Sequence, residues 1–218
     1  MSTLDKLLIR GIRSFGSQTG DEQQISFVSP LTLIVGVNGS GKTTIIECLK
    51  YALTGEVPPG SDRGAGFVHD PKIYQFSECL GQVKLNVKDI KGTTHIVTRS
   101  MKAMLKTTKT SKSTFETIDV NIYCPGVGPS KGSMSKRVAD MNAEMCDIMG
   151  VSKAILNNVI FCHQEDSSWP LDEQKKVKEK FDAIFGTTEY NRVIDKVVGI
   201  ISESPFACSI CIFRCEIQ

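Results

Sequence analysis

The 218-residue sequence predicts an α/β fold in which helices flank a mixed sheet that has an antiparallel portion. An apolar run at residues 31–35 is followed by glycines and then by a helical pattern of apolar residues over 42–53. Two runs of alternating apolar and polar residues, 82–88 and 93–100, indicate an antiparallel hairpin. The composition, 40% apolar and 23% charged, is that of a globular domain and excludes disordered and fibrous classes.

The first half of the chain supplies the elements around the glycine-rich segment. Residues 7–9 and 25–28 are short β-type runs, whereas residues 31–35 are apolar enough for a central strand that is buried on both faces. The helix predicted over 42–53 ends at Gly55, a residue type that suits the left-handed conformation at a helix C-terminus.

The second half alternates loops with short elements. Residues 102–113, rich in Lys, Thr and Ser, and residues 125–133, rich in Gly, Pro and Ser, are expected to be loops. A weak helical pattern over 134–149 is followed by a glycine. An apolar run at 159–162 predicts a short strand, and Pro170 opens a further helix with acidic residues in its first turn.

Charge is unevenly distributed along a chain whose formal net charge is only +2. Residues 91–137 contain nine Lys or Arg against two Asp or Glu, a local charge of +7. Such a segment suits contact with phosphates, although a basic solvated loop is an alternative. No apolar run is long enough to span a bilayer, and the N-terminus lacks the pattern of a secretory signal. The eight cysteines are therefore expected to be reduced thiols.

Residues 36–43, GVNGSGKT, match the pattern G-x-x-x-x-G-K-[ST] between the predicted strand and the predicted helix. Glycines let consecutive backbone N–H groups point inward at phosphate oxygens, and the start of the helix adds about half a positive charge. Lys42 would reach the β- and γ-phosphates of a nucleoside triphosphate, and Thr43 would offer its hydroxyl to Mg²⁺. The alternative is a glycine-rich turn that binds nothing. The motif indicates the ligand class but not the reaction.

Two further features bear on the reaction. The strand at 7–9 leads into a basic and aromatic turn, from which Arg13 can reach a phosphate. Gln164 follows the apolar run at 159–162 in a polar cluster, where its neutral amide could coordinate Mg²⁺ or the attacking water. Asp70 precedes Pro71, a position typical of a turn residue.

These features together resemble a known family. Residues 13–15, 36–51, 67–71 and 151–166, with Trp169 and Pro170, are similar to the N-terminal lobe of the SMC-like ABC ATPases, and among them to the coiled-coil ATPases of DNA double-strand-break repair. The similarity covers roughly residues 1–198 and implies a P-loop NTPase fold that binds ATP and Mg²⁺. The residues that it implies at the nucleotide are Arg13, Asn38, Gly39, Ser40, Gly41, Lys42, Thr43, Thr44, Val68 and Asp70, with Thr43 and Gln164 on the metal.

The resemblance also implies partners. In this family two heads sandwich ATP as a head-to-head dimer, and with the nuclease subunit of the MRN complex they form an ATP-gated clamp on DNA in the nucleus. Each P-loop there faces a signature motif from a C-terminal lobe of the same ATPase. Neither that motif nor an apolar strand closing in Asp-Glu occurs in this sequence. Lys42 and Gln164 therefore belong to an incomplete catalytic set, and the chain is expected to bind ATP without turning it over by itself.

Two alternatives remain open at this point. One is a truncated, non-catalytic product that binds nucleotide or partner subunits. The other, a small-molecule kinase, lacks the arginine-rich lid and second acidic motif that such an enzyme needs. If the chain does contact DNA, the charges expected to face it are Lys102, Lys106, Lys109, Lys112, Lys131, Lys136 and Arg137.

The sequence predicts three segments: an ATPase lobe over residues 1–186, the start of a coiled-coil helix over 187–198, and a divergent tail over 199–218. Cys208, Cys211 and Cys215 in the tail have a spacing that suggests zinc. Three thiols lack the fourth ligand of a tetrahedral site, so an unrelated clustering of cysteines is the favoured interpretation.

Overall fold

The structure, a computed structural model, describes residues 2–18, 20–61, 64–74, 77–106, 112–125, 133–135, 137–161 and 169–203. The chain divides into two compact units, Met1–Lys153 and Ala154–Gln218. The first unit contains the sheet and the glycine-rich loop, and the second is helical in its described part.

A six-stranded sheet forms the centre of the first unit, with the strand order β2-β1-β3-β4-β5-β6 and every neighbouring pair antiparallel. The strands are β1 (Thr3–Arg10), β2 (Gln23–Ser26), β3 (Glu78–Lys88), β4 (Thr94–Lys106), β5 (Lys112–Tyr123) and β6 (Ser133–Ser135). Alternate residues of β3 are buried, among them Val83, Leu85 and Val87, so one face of the sheet covers the core.

The predicted hairpin is confirmed, since β3 and β4 pair along their whole length. The loop predicted over 102–113 is wrong in large part, because β4 continues to Lys106 and β5 begins at Lys112. Met101 and Ala103 are fully buried while Lys102 between them is half-buried. A two-residue periodicity is therefore present in this stretch, and its Lys-, Thr- and Ser-rich composition concealed it.

The described residues of the first unit also form the helices α1 (Lys42–Thr54), α2 (Pro71–Tyr74) and α3 (Val138–Met149). Helix α1 confirms the prediction from the apolar stripe, and it packs on β3, β4 and α3. It ends at Gly55, which has a φ of 73° and donates its N–H to the carbonyl of Tyr51. A side chain would meet strain at that φ, which is why glycine suits this C-terminus.

Arg99 of β4 is fully buried between the sheet and the helices. Its Nε donates to the carbonyl of Ala52 at 2.8 Å, and an Nη donates to the Asn142 side-chain oxygen at 2.7 Å. The guanidinium also lies 5.6 Å from the centre of the Tyr51 ring. Burial lowers the pKa of Arg99, and the nearby Tyr51 opposes that shift. This side chain thus links β4 to both α1 and α3.

The central strand predicted at residues 31–35 is not formed. These residues lie in a segment without regular secondary structure outside the sheet, and the exposed fractions of Leu31, Leu33 and Val35 are 79–81%. A strand buried on both faces needs paired neighbours at its edges and layers above and below. Within the described ranges no strand pairs with this segment, so the sheet is wholly antiparallel and not mixed as predicted.

The described part of the second unit is helical. Single-turn α4 (Lys153–Ile155) lies at its start, followed by a π-helical turn (Leu156–Ile160), a 3₁₀ turn (Trp169–Leu171), α5 (Gln174–Phe185) and α6 (Thr187–Glu203). Helix α6 begins where the coiled-coil helix is predicted to start and continues through residue 199 without a break. No helix within residues 2–203 that the structure describes is both long and apolar enough to cross a bilayer.

Two predictions in this unit are wrong. The run at 159–162 is predicted as a strand, but its described residues lie in the π-helical turn and at Phe161, which donates its N–H to the Leu156 carbonyl. The Asn158 amide donates to the carbonyl of Ala154 and satisfies a helical backbone group. Pro170 is the second residue of the 3₁₀ turn, and α5 begins only at Gln174, so the acidic residues predicted for its first turn precede it.

Candidate phosphate-binding site

The glycine-rich loop joins the irregular segment at 31–35 to the start of α1. Lys42 turns back over this loop, and its Nζ donates to the carbonyls of Gly36 at 2.7 Å and Val37 at 2.8 Å. The Ser40 N–H donates to the Val37 carbonyl at 3.2 Å and closes the loop. A Cβ at Gly36 would stand 2.5 Å from the Ser40 hydroxyl oxygen, so a side chain here would force that hydroxyl to move.

The start of α1 offers backbone donors to an anion. Gly41 at the N-cap has a φ of 90° and provides no side-chain cap, and the first turn contains no acidic residue. The N–H groups of Lys42, Thr43 and Thr44 come before that of Ile45, which donates to the Gly41 carbonyl as the first hydrogen bond of the helix, and they lie at its positive end. Thr43 is exposed, whereas the Thr44 side chain is buried. The donors, the lysine and the exposed hydroxyl fit a triphosphate with its Mg²⁺.

The basic and aromatic turn after β1 lies against this loop. A Cβ built on Gly41 would stand 3.1 Å from Cζ of Phe15, which shows how close that ring is. Arg13 is the one non-glycine residue with a positive φ, 46°, among the described residues. Its Nη2 lies 2.9 Å from the carboxylate of Glu47 on α1. Arg13 therefore reaches the helix that begins at Lys42.

The segment around Val68 and Asp70 is tied to the same turn. Ile12 and Val68 form an isolated antiparallel bridge, and the Arg13 N–H donates to the Phe67 carbonyl at 2.9 Å. Val68 is only 2% exposed, so its side chain belongs to the core. Asp70 is exposed, and its Oδ1 accepts the Lys72 N–H at 3.0 Å, as expected of a turn residue before proline.

His69 reinforces this junction. Its backbone N–H donates to the Gly11 carbonyl at 2.9 Å, and its ring Nδ1 makes a short hydrogen-bonding contact with the Arg13 carbonyl oxygen. His69 is 5% exposed and joins these backbone segments as a structural residue.

The first unit thus brings together most of the residues that the sequence singles out. Arg13, the loop at 36–44 and the segment at 67–70 adjoin one another through the contacts of Phe15, Glu47 and Phe67. The predicted metal ligand Gln164 lies outside the described residues, as do His163 and the three cysteines of the tail. Within the described ranges, no group of three or more His, Cys, Asp or Glu side chains could hold a metal ion.

Glu47 is the residue of this site that sequence reasoning missed. It is 6% exposed and occupies the buried face of α1 between Thr44 and Cys48. Burial raises the pKa of the neighbouring Cys48 thiol far above its usual range; the charge of Glu47 adds to this rise and that of Arg13 opposes it. An acidic residue on an otherwise apolar helix stripe is the signal that could have identified it, because a buried carboxylate requires a partner.

The basic residues predicted to face DNA are only partly described. Lys102 on β4 pairs with Glu116 on β5 at 3.1 Å, and Arg137 is exposed before α3. Lys106 and Lys112 occupy the facing ends of β4 and β5, where they form the last paired position. The remaining candidates, Lys109, Lys131 and Lys136, lie outside the described residues.

Comparison with known proteins agrees with this architecture. The family model for an AAA domain matches residues 6–201. The chain is 56% identical over 209 residues to the DNA repair protein RAD50 of Drosophila melanogaster, 47% over 194 residues to that of Dictyostelium discoideum, and 46% over 200 residues to that of Saccharomyces cerevisiae. These alignments cover 94%, 89% and 92% of this chain and 16%, 14% and 15% of the respective relatives. The chain thus spans about one-sixth of their length.

The antiparallel sheet, the glycine-rich loop at the start of α1 and the match over residues 6–201 describe one α/β ATPase domain. The chain therefore belongs to the AAA-domain family, and within it is similar to the N-terminal ATPase lobe of the eukaryotic RAD50 proteins.

Proposed function

We propose that this chain binds Mg·ATP at the glycine-rich loop and is the N-terminal nucleotide-binding lobe of a nuclear DNA double-strand-break repair ATPase. The observation that carries the proposal is that Lys42 and the uncapped first turn of α1 meet at one exposed loop, against which the Arg13 turn packs through Phe15. A lysine and a helix N-terminus at one loop favour a polyanionic ligand.

In this proposal each residue of the site has a separate role at the nucleotide. The loop N–H groups of Asn38 to Gly41 and those of the first helical turn hold phosphate oxygens, and Lys42 leaves the carbonyls of Gly36 and Val37 to reach the terminal phosphates. Thr43 and Gln164 hold Mg²⁺, whose contribution is to neutralise charge on the β- and γ-phosphates. Asp70 and the backbone at Val68 flank the nucleotide through their link to the Arg13 turn.

A C-terminal lobe of the same ATPase is the partner that fits the exposed apolar segment before the loop. Val28, Leu31, Leu33, Val35 and Val37 expose between 68% and 81% of their surface. A strand-forming run of such composition is stabilised when other strands cover it. Hydrolysis, a head-to-head dimer around ATP, and assembly with a nuclease subunit on DNA all require that lobe. In this arrangement residues 1–186 are the lobe and residues from 187 begin a coiled coil.

The test of nucleotide binding is a titration of the 218-residue chain with Mg·ATP beside Lys42→Ala, with phosphate release followed in the same samples. Losing a charge-assisted hydrogen bond to phosphate weakens binding by about ten- to a hundredfold. Lys84→Ala is the matched control, because Lys84 is an exposed lysine on β3 away from the loop. Equal affinity of wild type and Lys42→Ala would refute a phosphate site at this loop. Phosphate release by the chain alone would refute the dependence of hydrolysis on a second lobe.

DNA contact by the basic segment is tested separately. If Lys102 and Arg137 touch DNA phosphates, the logarithm of affinity falls linearly with the logarithm of salt concentration, and each change to alanine reduces that slope by about one. Glu116→Ala provides a comparison, because it releases Lys102 from its ion pair. Binding that does not depend on salt would exclude a phosphate interface here.

A further inference from the structure

Glu47 is a charged residue of α1 that nothing in the motif explains. Its side chain is 7% exposed, and its carboxylate lies 2.9 Å from Nη2 of Arg13. A buried carboxylate is tolerated where cationic or hydrogen-bonding partners compensate the loss of water. The Arg13 side chain is 37% exposed, although its Nε is buried.

The backbone of Arg13 is fixed independently of this ion pair. Its φ of 46° lies in the left-handed region that L side chains seldom adopt. The Arg13 N–H donates to Phe67, and the Phe15 N–H donates to Ile12. Non-glycine residues remain in this conformation where the surroundings determine it, often at ligand sites. The turn thus fixes the backbone position of Arg13, whereas Glu47 fixes the position of its guanidinium.

Glu47 lies on the same helix as the phosphate loop. It follows Lys42 by five residues, about 7.5 Å along the helix axis at the rise of an α-helix. A rigid helix therefore relates the position of the guanidinium to the first-turn N–H groups. A carboxylate so close to an anion site would repel phosphate if it stood alone, and the charge of Arg13 offsets this repulsion.

We infer that Glu47 is a positioning residue that holds the Arg13 guanidinium at the nucleotide site. This inference rests on the proposed function, because Arg13 must contact a bound phosphate for its position to affect affinity. Glu47 itself does not touch the nucleotide and acts through Arg13. Its oxygen supplies the acceptor that orients the guanidinium, and its charge holds the guanidinium beside α1.

The test is a double-mutant cycle on the 218-residue chain, with Mg·ATP affinity as the readout. Glu47→Ala is expected to weaken ATP binding about tenfold, the scale of one charge-assisted hydrogen bond. Glu47→Gln keeps an oxygen that can accept from Nη2 and should stay within about threefold of wild type. In an Arg13→Ala background, Glu47→Ala should cause no further loss of affinity, because the residue through which it acts is gone.

The control is Glu56→Ala. Glu56 also carries an ion pair, at 2.8 Å to Lys153, but it lies beyond the end of α1 and away from the loop. Circular dichroism and thermal melting of each variant show whether the fold is kept. A loss of affinity on Glu47→Ala that persists undiminished in the Arg13→Ala background would indicate a general structural role and overturn the inference. Equal ATP affinity of Glu47→Ala and wild type would also overturn the inference.

Lys42→Ala separates these outcomes from failure of the proposed function. If wild type binds ATP and Lys42→Ala does not, the site exists and the double-mutant cycle decides the role of Glu47. If wild type and Lys42→Ala fail alike to bind ATP, the proposed function falls and the role of Glu47 falls with it.

Discussion

Replacing Arg99 by alanine is expected to lower the free energy of unfolding of the first unit by about 3–5 kcal/mol. The estimate follows from its contacts. Two hydrogen bonds from a charged donor, to the Ala52 carbonyl and the Asn142 side chain, are worth about 1.5–3 kcal/mol each. The guanidinium over Tyr51 adds about 1–2 kcal/mol because the site is desolvated. The cost of burying a charge offsets part of this sum, and the truncation leaves a cavity and two partners without their donor.

The assay for this prediction is urea unfolding followed by circular dichroism, at two protein concentrations to exclude self-association. Arg99→Lys keeps a positive charge but cannot span two acceptors with a planar fork, so it should fall between wild type and Arg99→Ala. The exposed Lys84→Ala should change the unfolding free energy by less than about 0.5 kcal/mol. A loss below about 1 kcal/mol for Arg99→Ala would refute the view that this arginine joins β4 to the two helices.

Three further outcomes are expected. Gly41→Ala should lower the melting temperature more than Gly39→Ala. Both glycines have a positive φ, but only at Gly41 would the new Cβ meet the Phe15 ring, at 3.1 Å. Equal losses in the two melts would contradict this expectation. Iodoacetamide should alkylate the half-buried Cys146 well before Cys48, because burial strongly raises the pKa of Cys48. Peptide mass mapping measures the order, and modification of Cys48 as early as Cys146 would contradict this prediction. Burial raises the pKa of Tyr51, although the Thr117 hydrogen bond and the Arg99 charge oppose this rise. Neutral Tyr51 therefore adds to the free energy of unfolding below the unfolded pKa of 10, and this contribution is lost as pH rises through the folded pKa. In an alkaline titration, Tyr51→Phe should remove the tyrosinate absorbance that appears at the highest pH. An unchanged titration curve would show that Tyr51 is not the tyrosine with the raised pKa.

Local patterns determined how much of the fold the sequence could predict. Helix α1 could be predicted from its own residues and their immediate neighbours, because glycines precede it, an apolar stripe runs along it and Gly55 ends it. The strand predicted at 31–35 depends on long-range pairing, and composition shows that residues favour burial without showing what buries them. The run at 159–162 is ambiguous for a related reason, since four apolar residues fit a strand or a helical turn equally well.

The candidate site was predictable to the extent that its chemistry follows from consecutive residues. The spacing from Gly36 to Thr43 specifies the loop, and the structure places the lysine and the helix start as that spacing requires. Glu47 was not predictable from the motif, because its importance comes from a contact with Arg13, 34 positions earlier in the chain. Long-range ion pairs leave only an indirect trace in a sequence, here one acidic residue on an apolar stripe.

The strand order has a consequence for how the chain folds. From β3 to β6 each strand pairs with the next in sequence, and in the first hairpin Val87 faces His95 only eight positions later. By contrast, Leu7 of β1 must find Leu85, 78 positions away, and the intervening loop contains α1 and the glycine-rich segment. Closing a loop of that length costs about 2 kcal/mol more in chain entropy than closing the hairpin. We therefore expect the meander to form first and the glycine-rich loop to be positioned later, when β1 docks on the edge of a sheet that already exists.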